Sequence, residues 1–221
     1  MRLHDALFAE FLGTLLLALV TVGSNLGAAH AGSGEYQVLL ANSLATGFGI
    51  SALILSLNPV SGSCFNPLAA VLECVEGELK WKHLAAYILL QCTGAFLGVL
   101  LCHYLFQRPV LDLATRPRSG VPMLLSEFVG TLGLLLVIHR VGNTRSQWVA
   151  YAVGAYLIAA TWALPSTCLA NPALTLARMF TDSVAGVRPW DAAGFLLAQC
   201  LALGVFTAFI KAHKRFATLG D

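Results

Sequence analysis

Two Asn-Pro pairs carry the most specific chemistry in this chain: Asn66-Pro67 in "SGSCFNPLAAVLEC" and Asn171-Pro172 in "STCLANPALTLARMF". Proline breaks a helix interior, but at the first helical position its missing N–H is no loss, and Asn just before it is a preferred cap. Each pair therefore reads as a helix start. A capping Asn also keeps amide hydrogens that can serve a passing oxygen atom. The other candidates are Glu10 in "FAEFLGTLLLALV" and Glu127 in "LSEFVGTLGLLLV", carboxylates inside apolar runs. Such groups are costly in lipid and need a role, either accepting hydrogen bonds or relaying protons.

Other chemistry is poorly represented. No Ser, His and acid set and no metal-ligand cluster can be assembled from the apolar segments, so an enzyme is the least favoured reading and no cofactor is expected. The six cysteines are scattered without metal-site spacing, and all but Cys168 read as small apolar filler. His103 and His139 fall near the ends of apolar spans, where an interfacial position is expected. A net charge of +2 argues for no nucleic-acid partner.

The elements that must position these residues are membrane helices. Of 221 residues, 57% are hydrophobic and 11% charged, where a soluble domain has about 25% charged residues. Runs of roughly 20 apolar residues predict spans near 6–28, 37–58, 84–106, 122–140, 147–165 and 190–210. The first is read as a transmembrane helix rather than a signal peptide, because more spans follow. Two shorter stretches remain, Asn66 to about Glu76 and Asn171 to about Phe180. Each is about 15 Å long, half of a ~30 Å hydrocarbon core, so it can enter the membrane without crossing it.

The chain also repeats itself. The two Glu segments, the two Asn-Pro pairs, and "LLQCTGAFLGVLL" with "LAQCLALGVF" recur in one order. The chain thus reads as a single channel domain, with a first repeat over 1–106, a linker over 107–121 and a second repeat over 122–221. Three spans per repeat force the second copy to enter upside down, so the two half-helices approach the midplane from opposite faces. Broken helices persist in a bilayer only where they are buried in protein or line a wet cavity. Two N-termini meeting there bring about half a positive charge each, which repels cations and favours a neutral solute bearing oxygen. The side holding both termini collects Arg2, Lys80, Lys82, Arg140, Arg145, Lys211, Lys214 and Arg215, against Arg108, Arg116, Arg118, Arg178 and Arg188 opposite. Cytoplasmic termini are expected, in a multi-pass protein of a plasma or inner membrane.

The segments "AEFLGT", "SGSCFNPLAAV" and "CLANPALTLAR" resemble the aquaporin and major intrinsic protein family over almost the whole chain. The resemblance implies an all-α membrane protein of six tilted helices plus two re-entrant half-helices around one pore per subunit. It further implies a homotetramer that passively conducts water, glycerol or other small uncharged solutes. In this family the carboxylates matching Glu10 and Glu127 support the loops carrying the half-helices.

Departures from the family pattern sharpen the functional reading. The first box is Asn66-Pro67-Leu68, with Leu68 where the family has Ala; it is expected to repack the half-helix contact or narrow the pore. The second, Asn171-Pro172-Ala173, is standard, but the filter Arg that follows is replaced by Leu174. Family positions assign the rest of the filter to Thr46, Ala159 and Cys168, with a register slip of one residue left open at Ala159. Cys168 is expected to offer its thiol to the pore. Arg178, four residues after Leu174 on the same helical face, either stands in the vestibule in place of the missing Arg or faces headgroups. A filter without Arg, His or an aromatic ring is wide and weakly polar, which favours glycerol, urea or an uncharged metalloid acid such as arsenous acid, with water. A water-selective pore and a proton-coupled transporter are the alternatives.

Overall fold

The computed structural model describes residues 2–217, and these form helices and loops with no strand among them. Eight α-helices follow in order: α1 (Leu3–His30), α2 (Glu35–Ser61), α3 (Pro67–Glu76), α4 (Trp81–Leu105), α5 (Val121–Arg145), α6 (Val149–Ala163), α7 (Pro172–Ala177) and α8 (Pro189–Ala217). Turns of 3-10 helix join α5 to α6 at Ser146–Trp148 and extend α7 over Arg178–Phe180. Most long helices overrun the apolar runs that predict them; α5, expected to stop near residue 140, continues to Arg145. The hydropathy signal marks only what lipid covers, whereas backbone hydrogen bonding carries a helix on into the headgroup zone.

Local chemistry sets the breaks. α2 keeps Pro59 within its last turns and stops at Gly62, whose φ of 84° ends it in the left-handed conformation. Four residues later Asn66 caps α3, accepting a hydrogen bond from the Leu68 N–H with Pro67 at the first helical position. Asn171 caps α7 in the same way, accepting from Ala173 and Leu174. α3 and α7 pack against each other and against the long helices around them.

Close helix approach fixes the rotation of α6. A methyl group on Gly154 would lie 2.4 Å from the Gly47 carbonyl oxygen, and one on Gly47 2.7 Å from that of Gly154, so both must be glycine for α2 and α6 to touch. Ser51 adds a hydrogen bond to the Ala150 carbonyl at 2.9 Å. Residues 150, 154 and 158 of α6 therefore face α2, and 149, 153, 157 and 161 face the interior one step round the helix.

The linker caps one end of the bundle. Arg108 bonds Asp112 and the Asp182 carbonyl, and Thr115 bonds the Asp182 carboxylate. His103, expected at an interface, is instead fully buried beneath this linker, with Nδ1 against the carbonyls of Pro109 and Val110. A span end is interfacial only if nothing folds over it, and here the linker does.

Candidate functional site

Each half-helix is hung from one buried carboxylate. Glu10, 0% exposed, accepts four hydrogen bonds: from Ser61 Oγ (2.7 Å) and the Cys64 N–H (3.0 Å) on Oε1, and from the Phe65 N–H (2.8 Å) and Gln91 Nε2 (2.7 Å) on Oε2. Glu127, equally buried, accepts from the Leu169 N–H (2.9 Å), the Ala170 N–H (3.0 Å) and Gln199 Nε2 (2.7 Å). These bonds hold the loops in unusual shapes. Ser63 and Phe65 in the first loop and Thr167, Cys168 and Ala170 in the second all have φ between 45° and 62°, a region L residues avoid without such restraint.

The half-helices are also bolted to each other. Asn66 Nδ2 donates to the Ala170 carbonyl at 2.8 Å, and Asn171 Nδ2 donates to the Phe65 carbonyl at 2.9 Å. One amide hydrogen of each Asn is thereby committed to the opposite loop, and the second remains for the cavity that both residues line.

That cavity, about 410 Å³, runs the length of the bundle. Its walls are single helix stripes: Leu17 and Thr21 of α1, then Asn42, Thr46, Ile50, Ile54 and Asn58 of α2, at four-residue spacing. Val149, Val153, Leu157 and Thr161 supply the α6 stripe, and Asn171, Leu174 and Arg178 the α7 stripe. Glu73, Glu76 and Asn143 surround one end, the terminal mouth; Thr21, Thr161 and Arg178 surround the other, the linker mouth, under the linker. At the terminal mouth Glu76 is hydrogen-bonded to His139, and Asn143 donates to the same carboxylate.

Several sequence-derived assignments change place. Ala159 is exposed on the outer side of α6, and neither neighbour reaches the cavity: Ile158 packs against Gly47 and Ala160 is in the core. Leu157 and Thr161 line it instead, because the Gly47–Gly154 contact turns residue 158 toward α2. Leu68 does not narrow the pore; it is buried against Leu135, Phe206 and Ile210, and the cavity wall at that level is Ala69. Ala173 is likewise wholly buried in the core. Thr46, Cys168 and Leu174 border the cavity, but the Cys168 sulfur lodges against Gly130, where an added methyl would come within 2.6 Å of it.

Some site residues went unread. Gln91 and Gln199 complete the carboxylate knots, and their signal was available: a lone amide at the same place in both copies of a recurring apolar segment. Asn42, which donates to the Thr21 carbonyl (2.7 Å) and to Ser24 Oγ (3.1 Å), forms with Thr46 a polar i, i+4 pair on an apolar span. Among the described residues no aromatic side chain faces the linker mouth from the cavity wall, and Phe65 turns its ring onto Gly13.

The family model for Major intrinsic protein matches residues 1–161. The chain belongs to the major intrinsic protein family. Aquaglyceroporin AqpS of Rhizobium meliloti is 39% identical over 193 residues, covering 87% of this chain and 83% of that protein. The glycerol uptake facilitator protein of Streptococcus pneumoniae serotype 4 is 27% identical over 93% of this chain and 99% of its own. Among solved structures, the aquaglyceroporin from Plasmodium falciparum superposes with a TM-score of 0.77 at 21% identity, over 94% of this chain and 95% of that one. The fold of this multi-pass membrane protein is accordingly that of the aquaporins.

Proposed function

We propose that the cavity is a passive pathway for small uncharged solutes of the size of glycerol, urea or arsenous acid, with water passing as well. The observation that carries this reading is the linker mouth. Its narrow level is walled by Thr21, Thr46, Thr161 and Leu174, with Arg178 one turn further out, no aromatic side chain among the described lining residues and no arginine at position 174. A wide, weakly polar constriction admits solutes larger than water, whereas water selectivity rests on narrowness and well-placed donors. The printed names of the relatives, an aquaglyceroporin and a glycerol uptake facilitator, point the same way.

Within this reading the filter consists of Thr46, Thr161, Cys168 and Leu174, with Thr161 in place of Ala159, and the free amide hydrogens of Asn66 and Asn171 receive the solute's oxygens at mid-pore. Residues 1–106 and 122–221 are two inverted copies joined by a linker over 107–121, supported by the matched Gln–Glu bonds and the reciprocal Asn bonds. A proton relay through Glu10 or Glu127 is disfavoured, because loop donors and a glutamine occupy both carboxylates. No catalytic step and no cofactor is needed for flux down a gradient. By family resemblance the assembly is a homotetramer with cytoplasmic termini, and exposed apolar side chains such as Phe48, Leu89, Leu197 and Phe209 would meet lipid or a neighbouring subunit.

Stopped-flow swelling of proteoliposomes against water, glycerol, urea and arsenous acid tests the reading. The expected result is accelerated entry of at least one solute besides water. Acceleration of water alone would favour the water-selective alternative, and solute accumulation driven by a pH gradient would favour coupled transport.

A further inference from the structure

Arg178 is a buried cation without a partner. It is 6% exposed and lines the cavity, yet its side chain makes no hydrogen bond or ion pair among the described residues, and its Nε is enclosed with nothing to donate to. A guanidinium withdrawn from bulk water and left uncompensated is expensive, so it is retained where something else supplies the acceptors.

The neighbouring side chains leave the Arg178 donors uncommitted. Arg118, 8% exposed, adds a second positive charge beside the mouth, where it donates to Thr167 Oγ1 of the cavity wall; its other donors go to the Ser166 and Val184 carbonyls. The carboxylates of this region are all engaged: Glu127 with the loop and Gln199, Asp191 with Arg188 and the Arg118 N–H, Asp182 with Thr115, and Asp112 with Arg108. The linker mouth thus holds two buried positive charges and no free negative one. Its uncommitted guanidinium is planar and forked, a shape that matches two oxygens on one centre.

We propose that Arg178 makes the linker mouth a binding site for small carboxylate-type oxyanions, which dock there and compete with neutral solute for entry. The site rests on the channel reading only for its effect on flux; binding itself does not depend on it. Leu174, one turn deeper on the same stripe, offers such an anion no further donor, so it is held at the mouth rather than handed inward.

Formate is the probe. In proteoliposomes with formate on both sides at constant ionic strength, urea or glycerol flux should fall saturably relative to chloride. That inhibition should be lost in Arg178→Gln and weakened but retained in Arg178→Lys, which keeps the charge without the fork. Formate titrated calorimetrically into the full-length protein in detergent should bind at least about tenfold more weakly to Arg178→Gln, and size-exclusion profiles establish that the variant is folded. Equal formate affinity in wild type and Arg178→Gln, or no binding to the wild type, would overturn the site. Absence of solute flux with formate binding intact would overturn the channel reading and leave the site standing. An Arg178→Gln protein that does not fold shifts the comparison to Arg178→Lys, where unchanged affinity would count against the forked guanidinium.

Discussion

Gln91 donates to Glu10 at 2.7 Å across the packed faces of α1 and α4, and Gln199 donates to Glu127 at the same distance across α5 and α8. In each pair the glutamine fills what the loop leaves unsatisfied on the carboxylate, so helix packing and loop shape depend on one group. Glu10→Gln would turn an acceptor toward Ser61, Cys64, Phe65 and Gln91 into a partial donor, and should cost about 3 kcal/mol or more, since bonds to charged acceptors contribute about 1.5–3 kcal/mol each. The check is a lowered thermal unfolding midpoint in detergent, with a smaller drop for Gln91→Leu. A Glu10→Gln midpoint equal to wild type would contradict the supporting role.

Asn66 holds two jobs at once, capping α3 and bonding the opposite loop. Asn66→Ala removes both and should destabilise by about 2 kcal/mol, roughly 1 for the cap and 1 for the cross-bond. Asn66→Asp keeps the cap acceptor while losing the amide hydrogens. Solute flux normalised to folded protein should therefore fall in both variants, and capping of α3 should survive only in the second. Hydrogen exchange at Leu68 reads the cap directly.

Leu174 sits on the cavity wall where a long cationic side chain would fill the mouth. Leu174→Arg should reduce glycerol flux at least about tenfold relative to water, the scale on which a misfitting group in a pocket discriminates. An unchanged glycerol-to-water ratio in stopped-flow swelling would show that the constriction lies elsewhere.

Mercurials distinguish the two cysteines bordering the cavity. Cys64 is partly exposed, whereas Cys168 is buried with its sulfur against Gly130. Accessible thiols react first, so block by mercuric chloride should persist in Cys168→Ser and disappear in Cys64→Ser. The opposite pattern would place the Cys168 sulfur in the open pore.

Much of this architecture was legible in the chain itself. Apolar run length gave the spans, and Asn followed by Pro gave both half-helix starts, because capping is decided by neighbours in sequence. What escaped depended on rotation about a helix axis. The family position falls on Ala159, but the rotation of α6 is set by Gly47 of another helix, and a difference of two residues turns a side chain by about 200°. Leu68 misled for the same reason: its size was visible, while the face it turns toward Leu135 and Phe206 is a property of the assembled bundle. His103 and the unpaired Arg178 depend on how the linker and second loop fold over their ends.

The reciprocal bonds between Asn66 and Ala170 and between Asn171 and Phe65 also constrain synthesis. When the ribosome has delivered only the first half, the Asn66 amide and the Phe65 carbonyl lack their partners more than a hundred residues downstream. The early product carries an open polar seam within the bilayer until α7 arrives to close it. Chains truncated before Asn171 should therefore be substrates for membrane quality control, and the latest-made half-helix acts as the latch that certifies the first.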